Sequence, residues 1–386
     1  MGLQPFCIQL RHRLATDCSH RGGVTTTTEP PDVAVSPQRV VALVPAYNEQ
    51  DSIGRTIEAL MAQDRPLDEI VVVANNCKDA TYEIARGYPV TAVNYARNPH
   101  GKSGALNLGW QRYAQDADLV VCVDADTILP RNAVSGWLAE MRPGIGGISG
   151  QVVMMGGNLL ERIQRAEFAR SAHIGLQAGS VSVISGTGCC FSGAALHEVA
   201  ALAPEGAPWS HESITEDHWL TYQLRLLGWQ TIMSSSVQVL TGAMPDWQCL
   251  WHQRVKWHAG TIEDLLRWGF NRLTMREWRS QFYGFLLIVF WMFYPASLAL
   301  SAKLGTLHFT WWMLCLPVFF SLTEMWMARL VQGRSWPDFL IAGSLVGVYT
   351  YTVMTMGTLA VSWYRVLREK SSAGLWKAQH QAEGNA

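Results

Sequence analysis

Two aspartates one residue apart, Asp124 and Asp126, end the apolar run DLVVCVDADTILP. Two carboxylates this close repel each other at neutral pH, and a strand end needs neither for packing. Their chemistry is to share a cation. Acceptor-only oxygens suit a hard ion such as Mg2+ or Mn2+, which also binds the oxygens of a diphosphate. Lys102, in RNPHGKSGALNLGW, is a second candidate for phosphate oxygens, since the glycines beside it let the backbone approach closely. Its GKS is not a Walker A loop, which needs a glycine where this chain has Ala96. Glu216 and Asp217 open a helical pattern in HESITEDHWLTYQLRLLGW. Acids there favour a helix N-terminus. Asp217 could equally serve as a general base that takes a proton from an attacking hydroxyl. Local sequence leaves both readings open.

These residues need a frame. RVVALVPAYNEQDSIGRTIEALMAQ reads as strand, turn and amphipathic helix. EIVVVANNCKDATYEIA repeats the plan, and DLVVCVDADTILPRNAVSGWLAEM repeats it again. Strands alternating with helices predict an α/β fold with a mostly parallel sheet covered on both faces. Ligands in such sheets bind beyond the carboxyl ends of the strands. AYNE, ANNCKD and DADT should therefore converge on one crevice.

The 386 residues carry a net charge of −1, which gives no electrostatic case for nucleic acid as a partner. The eight cysteines show no CxxC spacing, so neither a zinc site nor a disulfide scaffold is suggested. Residues 1–37 are polar and read as a disordered lead. Residues 38–246 are expected to form the α/β domain that carries these acids. Residues 247–280 mix tryptophans with basic residues at helical spacing, as helices in a membrane interface do. Residues 281–365 hold three uncharged runs, Phe282–Ser301, Leu304–Thr323 and Phe339–Tyr364, each long enough to cross a hydrocarbon core of about 30 Å. About three transmembrane helices are expected, in a multi-pass protein with a cytoplasmic catalytic domain and a tail over 366–386. Three spans put that tail outside, yet it carries Arg368, Lys370 and Lys377, while Arg329 and Arg334 fall inside. The positive-inside rule is split.

VPAYNE, DADT, ITEDHWL and QRVKW at Gln253–Trp257 occur in the order seen in family 2 glycosyltransferases. The chain resembles their membrane-embedded processive branch, which includes cellulose, chitin, hyaluronan and poly-N-acetylglucosamine synthases, over about residues 39–365. The resemblance implies a GT-A fold and inverting transfer from a nucleotide diphosphate sugar, a UDP-sugar such as UDP-GlcNAc or UDP-Glc. The acceptor would be a hydroxyl of a growing β-linked polysaccharide. One alternative is single-sugar transfer to a lipid carrier or glycan; another is a non-catalytic nucleotide-sugar-binding subunit. The resemblance makes Asp217 the base and Asp126 the ligand of Mg2+ or Mn2+. Glu49, Asn75, Lys102, Asp124 and Asp126 would bind the nucleotide sugar, and Glu216, Gln253, Arg254 and Trp257 the acceptor and diphosphate. GTGCCF, from Gly186 to Phe191, resembles the floor of the acceptor site. Partners would be the donor, a glycan or lipid-linked acceptor, membrane lipid and an accessory subunit of unknown kind. The sequence departs from the family twice. Ala74 and Asn75 replace an Asp pair, and Lys256 stands in QxxRW where arginine is usual, which loses two-pronged geometry.

Overall fold

The computed structural model describes residues 38–308, 310, 315–369 and 373–382. The expected lead over 1–37 and part of the tail lie outside the described residues. Seven strands form one sheet: β1 (Val40–Ala46), β2 (Glu69–Asn75), β3 (Thr91–Tyr95), β4 (Leu119–Val123), β5 (Ile145–Met155), β6 (Gly188–Ser192) and β7 (Gln230–Gly242). Their order is β3-β2-β1-β4-β6-β5-β7. Every neighbouring pair is parallel except those of β6, which runs antiparallel to both β4 and β5. The sheet is therefore mixed and mostly parallel, as the alternating pattern predicts.

β1 and β4 read as unbroken apolar runs because both of their faces are covered. Val40, Ala42 and Val44 face helices Ile53–Met61 and Ala133–Glu140 in one core. Val41 and Leu43 face helices Gly101–Gly109, Gly193–Leu202 and Glu216–Leu226 in the other. Each such Val or Leu stabilises the fold by about 1.5–3 kcal/mol relative to exposure. That burial fixes strand register, and register fixes where the polar strand ends emerge.

β6 brings in a segment from further along the chain. Gly188 pairs with Val123, so Ser185–Thr187 lie just past the carboxyl end of β4. The Asp124 amide donates to the Thr187 carbonyl at 3.1 Å. Beyond β7, helix Trp247–Trp268 starts at Asp246, whose side chain accepts from the amides of Gln248 and Cys249. It ends at Gly269, whose φ of 69° suits glycine alone among common residues.

Of the three expected spans, the described residues show the first as one helix and the third as a bent pair. The first run forms helix Met275–Lys303, 29 residues with none buried, which among the described residues is the one helix long and apolar enough by itself to cross a membrane. The second run does not form one continuous helix. Leu304 and Gly305 close the preceding helix, and the next described helix is Cys315–Ala328. The third run is broken. Helices Trp336–Ser344 and Val346–Glu369 meet at Leu345, which takes a left-handed φ of 58°, and their axes bend by 65°. By length and composition the described residues hold one or, counting the bent pair, two candidate spans.

Candidate active site

The carboxyl ends of β1, β2 and β4 do converge, and the helices around them add the remaining groups. Lys102 lies in the first turn of helix Gly101–Gly109. Its Nζ is 2.5 Å from Asp124 Oδ1 and 3.2 Å from Glu216 Oε1. Asp217, next on helix Glu216–Leu226, accepts from the Gly186 amide at 3.4 Å and the His218 amide at 2.8 Å. The Asp217 carbonyl accepts from Thr221 Oγ1, which in turn accepts from the Ile184 amide, so the helix start is tied to the segment before β6. Lys102, Gly186, Glu216 and Asp217 line one small cavity with Pro45, Cys122 and Cys189. Asp126 is exposed beside it, its oxygens accepting from Thr241 Oγ1 at 3.2 Å and Thr127 Oγ1 at 3.3 Å.

Three carboxylates thus crowd one ammonium, and Asp126 adds a fourth beside Asp124. Burial raises the pKa of Asp124 to about 6; Lys102 opposes that rise and Asp126 adds to it. Burial also raises Asp217, with Glu216 adding to the rise and Lys102 opposing it. A carboxylate raised toward neutrality is a better proton acceptor than a free one. Burial alone would lower Lys102, but Asp124 and Glu216 outweigh it and hold the amine charged. The arrangement leaves surplus negative charge at the strand ends, a place for a cation rather than for packing.

The other expected residues divide. Glu49 sits in the turn after β1, its amide donating to Thr81 Oγ1 and its carboxylate accepting from Ser52 Oγ. Asn75 is buried at the end of β2, where its Oδ1 accepts from Asn98 Nδ2 at 2.7 Å. Asn98 Nδ2 also donates to the Gly101 carbonyl, so Asn75 links β2 to the turn that carries Lys102. Gln253 and Arg254 are buried on helix Trp247–Trp268. Arg254 does not point at the Asp124 cluster. Its guanidinium meets Glu167 at 2.6 Å and the Tyr351 hydroxyl at 2.9 Å. It also covers one face of half-buried Trp257, 4.7 Å from the ring centroid. The arginine expected over the diphosphate is turned toward Glu167, which supplies the countercharge a buried guanidinium needs.

Sequence reasoning missed the support behind Asp217. Asp264, 1% exposed on helix Trp247–Trp268, accepts from Ser213 Oγ at 2.8 Å and Thr215 Oγ1 at 3.2 Å, and lies 3.6 Å from His218 Nδ1. Gly260, one turn earlier, has no room for a Cβ, which would sit 2.7 Å from Thr215 Cγ2. The QRVKW helix therefore buttresses the ITED turn directly. Forty-nine residues separate Asp264 from Thr215, so no local spacing signals the contact.

The family described as glycosyltransferase like family 2 matches residues 37–271. The chain belongs to glycosyltransferase family 2. That match takes in the whole site, from β1 through the QRVKW helix. Among curated relatives of this family 2 glycosyltransferase is a poly-beta-1,6-N-acetyl-D-glucosamine synthase of Staphylococcus aureus (strain MSSA476). The two are 29% identical over 269 residues, covering 66% of this chain and 61% of the relative. The corresponding Staphylococcus epidermidis synthase is 27% identical over 239 residues, covering 58% and 55%. The chain thus spans about three-fifths of the length of the curated relatives it matches. A mannosyltransferase from Pyrobaculum calidifontis, solved in complex with GDP-Man and Mn2+, shares the fold. Its TM-score is 0.59 at 19% identity, over 89% of this chain and 92% of that one.

Proposed function

We propose that this glycosyltransferase moves a sugar, with inversion, from a UDP-sugar such as UDP-GlcNAc or UDP-Glc to a hydroxyl of a growing β-linked polysaccharide at a membrane. The observation that carries the reading is the cluster in which Lys102 bridges the strand-end Asp124 to the ITED turn. It sets an ammonium that can meet a diphosphate beside a carboxylate with a raised pKa. Asp217 takes the proton from the incoming hydroxyl, and the Gly186 amide holds the carboxylate that does so. Lys102 neutralises charge on the departing diphosphate. Trp257, half-buried, supplies the flat apolar surface for a sugar ring.

The strand-end acids suit a divalent ion. Among the described residues no three His, Cys, Asp or Glu side chains converge as a complete metal cage. Asp126 with Asp124 supplies two carboxylates, and Mg2+ or Mn2+ is commonly held by one or two carboxylates plus substrate phosphates. When bound, such an ion supplies charge to the diphosphate leaving group. The poly-N-acetylglucosamine synthases among the relatives favour a UDP-GlcNAc donor and a membrane setting, as does the exposed apolar helix Met275–Lys303. A single transfer to a lipid-linked acceptor is the second reading, favoured by the small number of candidate spans.

Purified full-length protein in detergent, incubated with a panel of UDP- and GDP-sugars and Mg2+ or Mn2+, tests the proposal. Released nucleotide and product size are measured. UDP release with products of many sugars supports it; a product one sugar longer than its acceptor supports the second reading. No turnover with any donor overturns both, and full turnover in excess EDTA overturns the metal assignment.

A further inference from the structure

Helices Met275–Lys303 and Val346–Glu369 pack antiparallel. Trp363 Nε1 donates to Gln281 Oε1 at 3.1 Å, and the Trp278 and Trp363 rings lie 6.4 Å apart. Farther along, a Cβ on Gly284 would press on Leu359, and Trp291 meets Tyr349 at 5.6 Å. This register sets the end of the second helix beside the start of the first. Arg365 and Arg368 therefore stand at the level of Arg272, Arg276 and Arg279, although some 90 residues separate the two groups. Among the described residues none of these five arginines makes an ion pair, whereas Arg225 and Arg267, nearer the catalytic sheet, pair with Glu277 and Glu212. Four of the five are exposed and Arg365 is half-buried. Phe270, 73% exposed, and the exposed Tyr364 lie at the same level. The far end of the pair offers only Lys303 as a cation among its described residues.

We propose that this arginine belt is a binding surface for anionic phospholipid headgroups, and that it sets the orientation of the protein in its membrane. The inference rests on the membrane reading above. Guanidinium forks match phosphate oxygens in pairs, and a negatively charged leaflet attracts clustered arginines next to a span. Exposed Phe270 and Tyr364 supply the aromatic rings that sit at headgroup level. Arg365 and Arg368 end a helix that packs along the catalytic unit, Tyr351 meeting Arg254 and Ser362 donating to the Val255 carbonyl, so the belt lies on the catalytic side, as the positive-inside rule prefers.

The test uses the full chain reconstituted into bilayers of equal phosphatidylcholine and phosphatidylglycerol. Lipid that stays with the protein after detergent extraction is then quantified. Wild type should retain phosphatidylglycerol over phosphatidylcholine by at least about threefold, and the preference should collapse between about 0.05 M and about 0.5 M salt. Replacing all five arginines by Gln should abolish the preference, replacing them by Lys should keep most of it, and Arg329→Gln with Arg334→Gln should leave it intact. The wild-type salt and headgroup dependence stands without any variant, so a variant that fails to insert does not remove the test. Protein that inserts with no phosphatidylglycerol preference, or with the same preference after the Gln changes, overturns the belt. Protein that does not float with vesicles at all overturns the membrane reading instead.

Discussion

The Lys102 ammonium sits 2.5 Å from the Asp124 carboxylate, so a helix N-terminus and a strand end that are 22 residues apart share one ion pair. With Glu216 on its other side, Lys102 is the single cation that joins the DADT turn to the ITED turn among the described ion pairs. The pair is partly open, with the Asp124 side chain 31% exposed, so an incoming diphosphate can compete for the ammonium.

Asp217→Asn should abolish sugar transfer while nucleotide diphosphate binding stays within about threefold, because an amide keeps the shape and loses the basicity. Turnover and calorimetric binding on the same preparation check this. Near-normal turnover would remove Asp217 from the mechanism.

Gly186→Ala should act through Lys102. The new Cβ would lie 2.9 Å from Lys102 Nζ, and the ammonium can move aside only by loosening its bonds to Asp124 and Glu216. Turnover should fall about tenfold with little change in thermal midpoint, since the clash is with the tip of a flexible side chain. An unchanged rate would mean that the observed Lys102 position is not needed for turnover.

Asp264→Leu should lower kcat about a hundredfold and Asp264→Asn about tenfold, each with donor KM within about threefold. The asparagine keeps an acceptor for Ser213 and Thr215; the leucine does not. In an Asp217→Asn background neither change should matter further for residual turnover. Parallel loss of donor binding and rate would make Asp264 a packing residue only.

Trp257→Ala should weaken acceptor use by about 1–3 kcal/mol while leaving the slow hydrolysis of donor by water nearly unchanged. Glu167→Gln should give a milder version of the same pattern, because Glu167 orients the Arg254 guanidinium that backs the ring. Both rates are measured on one preparation. Equal loss of transfer and hydrolysis would assign Trp257 to packing.

His258 sets a pH dependence of stability. Burial first, and Arg254 second, push its pKa from 6.5 down to about 4. Between those values the unfolded chain takes up a proton that the folded chain refuses. The contribution of this group to stability is therefore complete above 6.5 and is lost as pH falls toward about 4. Thermal midpoints over that range should fall less steeply for His258→Gln than for wild type. Identical slopes would show that His258 does not titrate as its surroundings dictate.

The sequence by itself determined the frame. Unbroken apolar strands such as LVVCV can only be buried on both faces, and helices alternating with them force parallel neighbours and one polar crevice at the strand ends. Asp124 and Asp126 follow directly on β4, because a strand end follows from its own strand. The tertiary structure alone decided which distant groups meet there. β6 runs antiparallel and brings Gly186 beneath Lys102, a choice of direction that five apolar residues do not encode. Arg254 turns to Glu167 and Tyr351, because a buried guanidinium goes to the countercharge that folding presents. Asp264 reaches the ITED turn across 49 residues through the close approach at Gly260. In the apolar third, hydropathy counts uncharged residues but not backbone breaks. Gly305 and Leu345, both at left-handed φ, interrupt runs that composition alone leaves continuous. Whether an uncharged run spans or bends is set by backbone hydrogen bonding and by the helices it packs against, which exist only once the chain has folded.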